Sequence, residues 1–194
     1  MCHVTTTDAP ARRLIEGLAA CIRTQGYADT TVADIVREAR TSRRTFYEHF
    51  GDRQECLVAL LYESNQRTIA RISEAVDPGA SWETQARQAI EGWIAAVQAD
   101  PPITLSWIRD VPALGASARE LQRDAMEGFI AMTQRLTDTP EMRAAGISPP
   151  SRQLSIMLLG GLRELIATTV EDGGRAGDVT EVAVRASIAL LGPA

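Results

Sequence analysis

The stretch from Thr31 to Arg53, TVADIVREARTSRRTFYEHFGDR, contains side chains that are suited to bind nucleic acid. Arg43 and Arg44 can each donate paired hydrogen bonds to a guanine base or to a phosphate. Thr45 can donate or accept a hydrogen bond, or contact a thymine methyl group. These residue types, so close together, predict a helix that reads the edges of bases in a DNA groove.

Further residues of the same stretch suit the sugar-phosphate backbone of DNA. Tyr47 and His49 follow Thr45 within about one helical turn, and we expect them to make phosphate contacts that fix the position of the protein. Arg53 adds a cation at the start of the next helix, and the helix amides at Thr31 can also donate hydrogen bonds to a phosphate. All of these residues, together with Arg40 and Ser42 of the same stretch, are predicted to bind DNA.

Two short helices must hold these side chains in place. Thr31 and Asp34 form the capping-box pattern that begins the first helix, and Ser42 is placed to cap the second, which runs from Arg43 to His49. Phe46 and Phe50 are four residues apart and therefore share one helix face, which we expect to be buried. The arginine, threonine, tyrosine and histidine side chains are then left facing outward.

The rest of the chain predicts an all-α protein of about nine helices. Apolar residues recur at helical spacing from residue 11 to residue 191, and no strand-like alternation or internal repeat is found. We expect a flexible leader at 1–10, a helix-turn-helix DNA-binding domain at 11–54 and a regulatory domain for ligand binding and dimerisation at 55–194. Residues 1–54 carry a net charge of +1 and residues 55–194 a net charge of −6.

Several classes of function are disfavoured by the sequence. No apolar run approaches the roughly 18 to 20 residues of a membrane span, and no export signal is seen, so we expect a cytoplasmic protein. The three cysteines and two histidines lack metal-ligand spacing, so no metal or cofactor is expected. No ExxH pair or Ser-His-Asp set is evident, which argues against an enzyme.

The N-terminal pattern resembles the TetR family of bacterial transcriptional repressors. The matching residues are Gly26, Tyr27, Thr30, Thr31, Val32, Ile35, Ala39, Ser42, Arg43, Thr45, Phe46, Tyr47, His49, Phe50 and Leu57. The resemblance implies a repressor that binds a palindromic operator as a homodimer and is released by a small hydrophobic or aromatic effector. The sequence departs from the family pattern at Arg40, where glycine is usual, and Arg40 could add a phosphate contact.

Dimerisation is predicted through the last two helices. Gly160 and Gly161 would allow a second helix to approach closely, and two helices from each subunit would form a four-helix bundle, as the resemblance also implies. Packing of the same residues inside one subunit is the alternative. The residues predicted at the dimer contact are Leu154, Leu158, Gly161, Leu162, Leu165, Val182 and Ala186.

The middle helices supply the candidate effector site. By resemblance this region encloses the ligand, and the aromatic and methionine residues that could line it are Trp93, Trp107, Met126, Phe129 and Met157. The same residues could instead belong to an ordinary hydrophobic core. An alternative function is a ligand-independent or protein-binding helical module in which DNA binding has weakened, and Arg40 is the only residue that favours it.

Overall fold

The computed structural model describes residues 8–193 and contains only helices and the loops between them over that range. The prediction of an all-α fold is confirmed. A π-helical turn at Ser106–Asp110 and 3-10 turns at Val111–Ala113 and Ala176–Val179 interrupt the α-helices. The ten α-helices in the described residues are α1 (Ala9–Gln25), α2 (Val32–Glu38), α3 (Arg43–His49), α4 (Arg53–Ala75), α5 (Trp82–Ala99), α6 (Pro101–Leu105), α7 (Ala116–Thr137), α8 (Pro140–Ala144), α9 (Arg152–Glu171) and α10 (Thr180–Leu191).

The helices differ from the predicted ones at two places. The additional helix is α8, a short helix between α7 and α9 that begins where the Thr139 hydroxyl accepts a hydrogen bond from the Met142 amide at 3.2 Å. At the N-terminus, α1 already begins at Ala9, because a proline in its first turn is compatible with a helix start. Residues 1–7 of the predicted leader lie outside the described residues.

The described chain divides into two compact units. The N-terminal unit contains the described residues up to Ser64 together with Pro102–Gln122, and the C-terminal unit contains Asn65–Pro101 together with the residues from Arg123 onward. The core of the N-terminal unit includes the fully buried Leu14, Leu18, Ile35, Phe46, Phe50, Leu57 and Leu61, joined by Ile103, Val111, Ala118 and Leu121. This core therefore extends beyond the predicted domain boundary at residue 54.

The core of the C-terminal unit lies among α5, α9 and α10. Its buried residues are Ile90, Ile94, Val97, Leu158, Leu162, Ile166, Ala176, Val179, Ala183 and Val184. A smaller cluster joins Trp82 and Ala86 of α5 to Met142 and Ile147, which explains why the short helix α8 can form. Among the described residues, no helix combines the length and the hydropathy that crossing a membrane requires.

Candidate nucleic-acid interface

The first turn of α2 is closed by a reciprocal capping box. The Thr31 amide and hydroxyl both donate to the Asp34 carboxylate, at 2.9 Å and 2.6 Å, and the Asp34 amide donates to the Thr31 hydroxyl at 3.2 Å. These hydrogen bonds, with a further one from Arg37, lower the pKa of Asp34 to about 2. The Thr31 amide already donates to Asp34, so the phosphate contact at Thr31 stays a prediction that would require this amide to be shared or released.

The turn between α2 and α3 ends α2 with a Schellman motif. The Thr41 amide donates to the Val36 carbonyl at 2.9 Å, and the Arg40 amide donates to the Arg37 carbonyl at 3.2 Å. This pair of hydrogen bonds requires a left-handed residue at position 40, and Arg40 adopts a φ of 50°. No other non-glycine residue in 8–193 has a positive φ, and an L-residue in this conformation costs about 1–2 kcal/mol.

Helix α3 is fixed at its start and along its inner face. The Ser42 hydroxyl accepts a hydrogen bond from the Thr45 amide at 3.1 Å and lies 3.0 Å from the Thr45 hydroxyl, which confirms the predicted N-cap. Phe46 and Phe50 are buried, with ring centroids 5.8 Å apart. Because these two rings anchor α3 in the core, the opposite face of the helix must point to solvent.

The outward face of α3 presents Arg43, Arg44 and Tyr47, with Tyr47 59% exposed. Arg44 donates to Glu48 at 3.0 Å, one helical turn away, so its charge is partly balanced within the helix. The sequence prediction missed Glu48, although the i, i+4 spacing of the pair could have revealed it. Arg43 makes no hydrogen bond or ion pair with any residue in 8–193, and its guanidinium can therefore meet a ligand.

His49 lies at the end of α3 and is half-buried rather than fully outward. Its Nε2 atom is 3.7 Å from a carboxylate oxygen of Asp8, the residue before α1. The two residues are far apart in sequence, so no local pattern could have indicated their contact. Asp8 thus places a carboxylate beside one of the predicted phosphate contacts.

Arg53 is engaged inside the N-terminal unit. Its Nη1 atom donates to the carbonyl oxygens of Tyr27 at 2.8 Å and Ala28 at 3.2 Å, and also to that of Thr30. The guanidinium stacks on the Tyr27 ring, 4.2 Å from its centroid. The structure therefore assigns Arg53 to the loop between α1 and α2, and a direct DNA contact by Arg53 stays a prediction.

The residues predicted to line an effector pocket do not form one cluster. Trp107 packs against the core of the N-terminal unit, whereas Trp93 packs against the core of the C-terminal unit. Met126 and Phe129 are half-buried on α7. Met157 is 56% exposed on α9, so its assignment to an enclosed pocket is wrong for the single chain.

The residues predicted at a dimer contact divide into two groups. Leu158 and Leu162 are buried in the core of their own C-terminal unit, so their assignment to the dimer contact is corrected. Leu154 and Leu165 are half-buried. The exposed members are Gly161, Val182 and Ala186, and the exposed Met157 shares the face of Gly161 because it lies four residues before it.

Helix α3 follows a tight turn, is capped at its start, buries one face in the core and exposes the other. This arrangement defines a helix-turn-helix protein. Residues 14–60 match the family model described as "Bacterial regulatory proteins, tetR family". The match covers α2, α3 and the turn that joins them, and residues 14–60 are thus similar to that family.

Two relatives of known sequence share part of the chain. A segment of 74 residues is 31% identical to the HTH-type transcriptional repressor AcnR of Corynebacterium efficiens, over 37% of this chain and 39% of that protein. A segment of 98 residues is 28% identical to the uncharacterized HTH-type transcriptional regulator YxbF of Bacillus subtilis, over 50% of this chain and 25% of that protein. The chain thus spans less than half of the length of these relatives.

Solved structures resemble the chain over nearly its whole length. The fatty acid degradation regulator FadR from Bacillus halodurans has a TM-score of 0.80 at 14% identity, covering 93% of this chain and 95% of its own. FadR from Bacillus subtilis, solved in complex with stearoyl-CoA, has a TM-score of 0.78 at 14% identity, covering 93% and 98%. At this level of identity the likeness shows a common fold.

Proposed function

We propose that this protein is a transcriptional regulator that binds operator DNA as a dimer through α3, most simply as a repressor. The observation that carries the proposal is the outward face of α3, where Arg43 and Tyr47 are exposed while Phe46 and Phe50 fix the helix in the core. A helix held in this way can enter the major groove with its first residues at the base edges. The similarity to a protein named as a repressor supports the direction of regulation.

The exposed side chains have different roles in this proposal. Arg43 lies in the first turn of α3 and has no partner in residues 8–193, so it can donate two hydrogen bonds to a guanine. Tyr47 lies one turn further on, and its hydroxyl donates a hydrogen bond to a phosphate. Arg44 must leave Glu48 or bind DNA together with it, and therefore contributes less.

We further propose that a second copy of the chain binds the exposed face of α9 and α10. Met157 and Val182 are 56% and 44% exposed, and a Cβ atom added at Gly160 or Gly161 would meet no atom within 4 Å. An apolar face with small residues supports close helix packing, and two such faces related by a two-fold axis form a four-helix bundle. Two copies of α3 would then bind half-sites about one DNA turn apart, on the order of 34 Å.

The proposed effector is a small hydrophobic molecule that binds the dimer in a state with misplaced α3 helices. Such a ligand lowers operator affinity by its preference for that state, by roughly 5- to 150-fold in common cases. The FadR structure with stearoyl-CoA supports testing long acyl chains first. Trp93, Met126 and Phe129 remain the residues proposed to contact the ligand.

The DNA-binding proposal is tested by fluorescence anisotropy with the DNA immediately upstream of the protein's own gene. We expect salt-sensitive binding that Arg43→Ala weakens by about 1–3 kcal/mol per half-site and that Tyr47→Ala also weakens. Arg123→Ala is the matched control, because Arg123 is an exposed arginine on α7 in the other unit. Equal losses for Arg43→Ala and Arg123→Ala would show that α3 does not read the DNA.

The dimer proposal is tested by sedimentation velocity. We expect Val182→Glu and Met157→Glu to produce monomers, because each places a charge in an apolar contact. Ala95→Glu is the control, since Ala95 is exposed on α5. A wild-type chain that remains monomeric at high concentration would refute the dimer, and fatty acids or acyl-CoA added to the anisotropy assay test the effector.

A further inference from the structure

Arg40 occupies a position where its backbone conformation is unfavourable. It is the left-handed residue of the Schellman motif that ends α2, with a φ of 50°, and the hydrogen bonds of the Arg40 and Thr41 amides hold it there. Glycine adopts this conformation without steric strain. Nothing in the backbone of the turn therefore favours an arginine at this position.

The side chain of Arg40 makes no contact within the described structure that would compensate for the unfavourable backbone conformation. It is exposed and makes no hydrogen bond, ion pair or ring contact with any residue in 8–193. Two other exposed arginines of the same region are paired, Arg37 with Asp34 at 2.7 Å and Arg44 with Glu48 at 3.0 Å, whereas Arg43 resembles Arg40 in making no such contact with residues 8–193. A strained residue with an unpartnered cation indicates a function outside the folded chain.

The position of Arg40 in the chain indicates which anion its guanidinium would bind. Arg40 comes two residues before Ser42, the N-cap of α3, so it stands in the turn that leads directly into the helix assigned to the DNA groove. The sugar-phosphate backbone runs along both edges of that groove, within reach of a flexible arginine in the adjoining turn. A base edge is less accessible from the turn than from α3 itself.

We propose that Arg40 binds one DNA phosphate in each half-site and so exchanges folding stability for operator affinity. This inference rests on the proposed DNA binding through α3. A phosphate contact carries no sequence information. Arg40 therefore increases affinity for operator and non-operator DNA alike, whereas Arg43 determines the preference between them.

The test measures the salt dependence of DNA affinity for Arg40→Gly and Arg40→Asn, both of which tolerate the left-handed conformation. Two phosphate contacts are lost per dimer, so the slope of log K against log salt should decrease in magnitude by about 1.8. Affinity should fall on the order of tenfold or more at 0.15 M salt, equally for operator and non-operator DNA. Arg40→Lys should keep the slope, because it keeps the charge.

Arg37→Ala is the matched control, since Arg37 is an exposed arginine of α2 that already pairs with Asp34, and it should leave the slope nearly unchanged. The thermal midpoint of Arg40→Gly should not fall, which verifies that the variant is folded. If wild type binds DNA and Arg40→Gly keeps its slope and affinity, this inference is overturned while DNA binding stands. A selective loss of operator binding would instead assign Arg40 to a base, and absence of salt-sensitive wild-type binding would refute the proposed function itself.

Discussion

At Gly17, α1 lies close against α2, and replacing this glycine with alanine tests the arrangement that positions α3. A Cβ atom at position 17 would lie 2.9 Å from the Ile35 carbonyl oxygen, 3.0 Å from the Ala39 amide nitrogen and 3.2 Å from the Ala39 Cβ. Two of these neighbours are backbone atoms, so no side-chain rotation can make room. Helix α2 must therefore move away from α1 in the Gly17→Ala protein.

The expected magnitude follows from two opposing effects. Overpacking against a fixed backbone costs about 2–3 kcal/mol at the upper end of its usual range. Alanine in place of glycine inside a helix returns about 1 kcal/mol. The net result is a destabilisation of about 1–2 kcal/mol, which lowers the thermal midpoint by roughly 3–6 °C in a chain of this length.

Gly160→Ala is the control, because a Cβ atom there would meet no atom of the same chain within 4 Å. That variant gains helix propensity without a clash, and its unfolding free energy should increase by about 1 kcal/mol. Stability is compared with both variants in the Val182→Glu background, so that the dimer contact proposed at Gly160 does not contribute. The assay is urea denaturation followed by far-UV circular dichroism, with the two variants compared at equal protein concentration. Operator affinity is measured in parallel, and we expect it to fall for Gly17→Ala because α2 carries the turn that leads into α3.

Equal stability changes for the two variants, or a Gly17→Ala protein that is the more stable of the two, would refute the reasoning. If Gly17→Ala is as stable as Gly160→Ala, then α1 and α2 do not approach as closely as the distances at Gly17 indicate. The close packing of α1 and α2 would then not explain how α3 is held against the DNA.

The remaining predictions concern the caps and the loop beside α3. Arg53→Met removes the donor to the Tyr27, Ala28 and Thr30 carbonyls and should lower the unfolding free energy by about 2 kcal/mol in urea titrations, with Arg53→Lys recovering only part. The pKa of Asp34 is lowered from 3.8 to about 2, so the stability from its capping box is fully present above pH 3.8 and is lost as the pH falls through 2. Asp34→Asn should remove this pH dependence, as thermal unfolding between pH 5 and 2 can verify.

Local spacing was sufficient to predict how α2 and α3 begin and end. The capping box of Thr31 and Asp34 and the cap at Ser42 each join residues three apart. Phe46 and Phe50 face the core because a helix turns about once every 3.6 residues. At Arg40, where the resembling family usually has glycine, the structure shows a left-handed φ of 50°.

Only the tertiary structure shows which of the predicted DNA-binding side chains already contact other groups of the protein. Arg53 donates to carbonyl groups more than twenty residues earlier in the chain, and His49 meets Asp8 from the start of α1. A sequence pattern records that an arginine or histidine is present. It does not show which group from a distant part of the chain will contact that side chain when the helices pack.

The same limit applies to α9, whose helical spacing was evident from the sequence while the direction of each face was not. Leu158 and Leu162 were predicted at a dimer contact and are buried in the C-terminal unit, whereas Met157 was predicted in a pocket and is exposed. The sequence by itself determined the helices, their caps and the composition of the α3 surface, because these depend on contacts within one turn. The packing of α5, α9 and α10 decided which face of α9 is buried, because burial depends on neighbours that are distant in sequence.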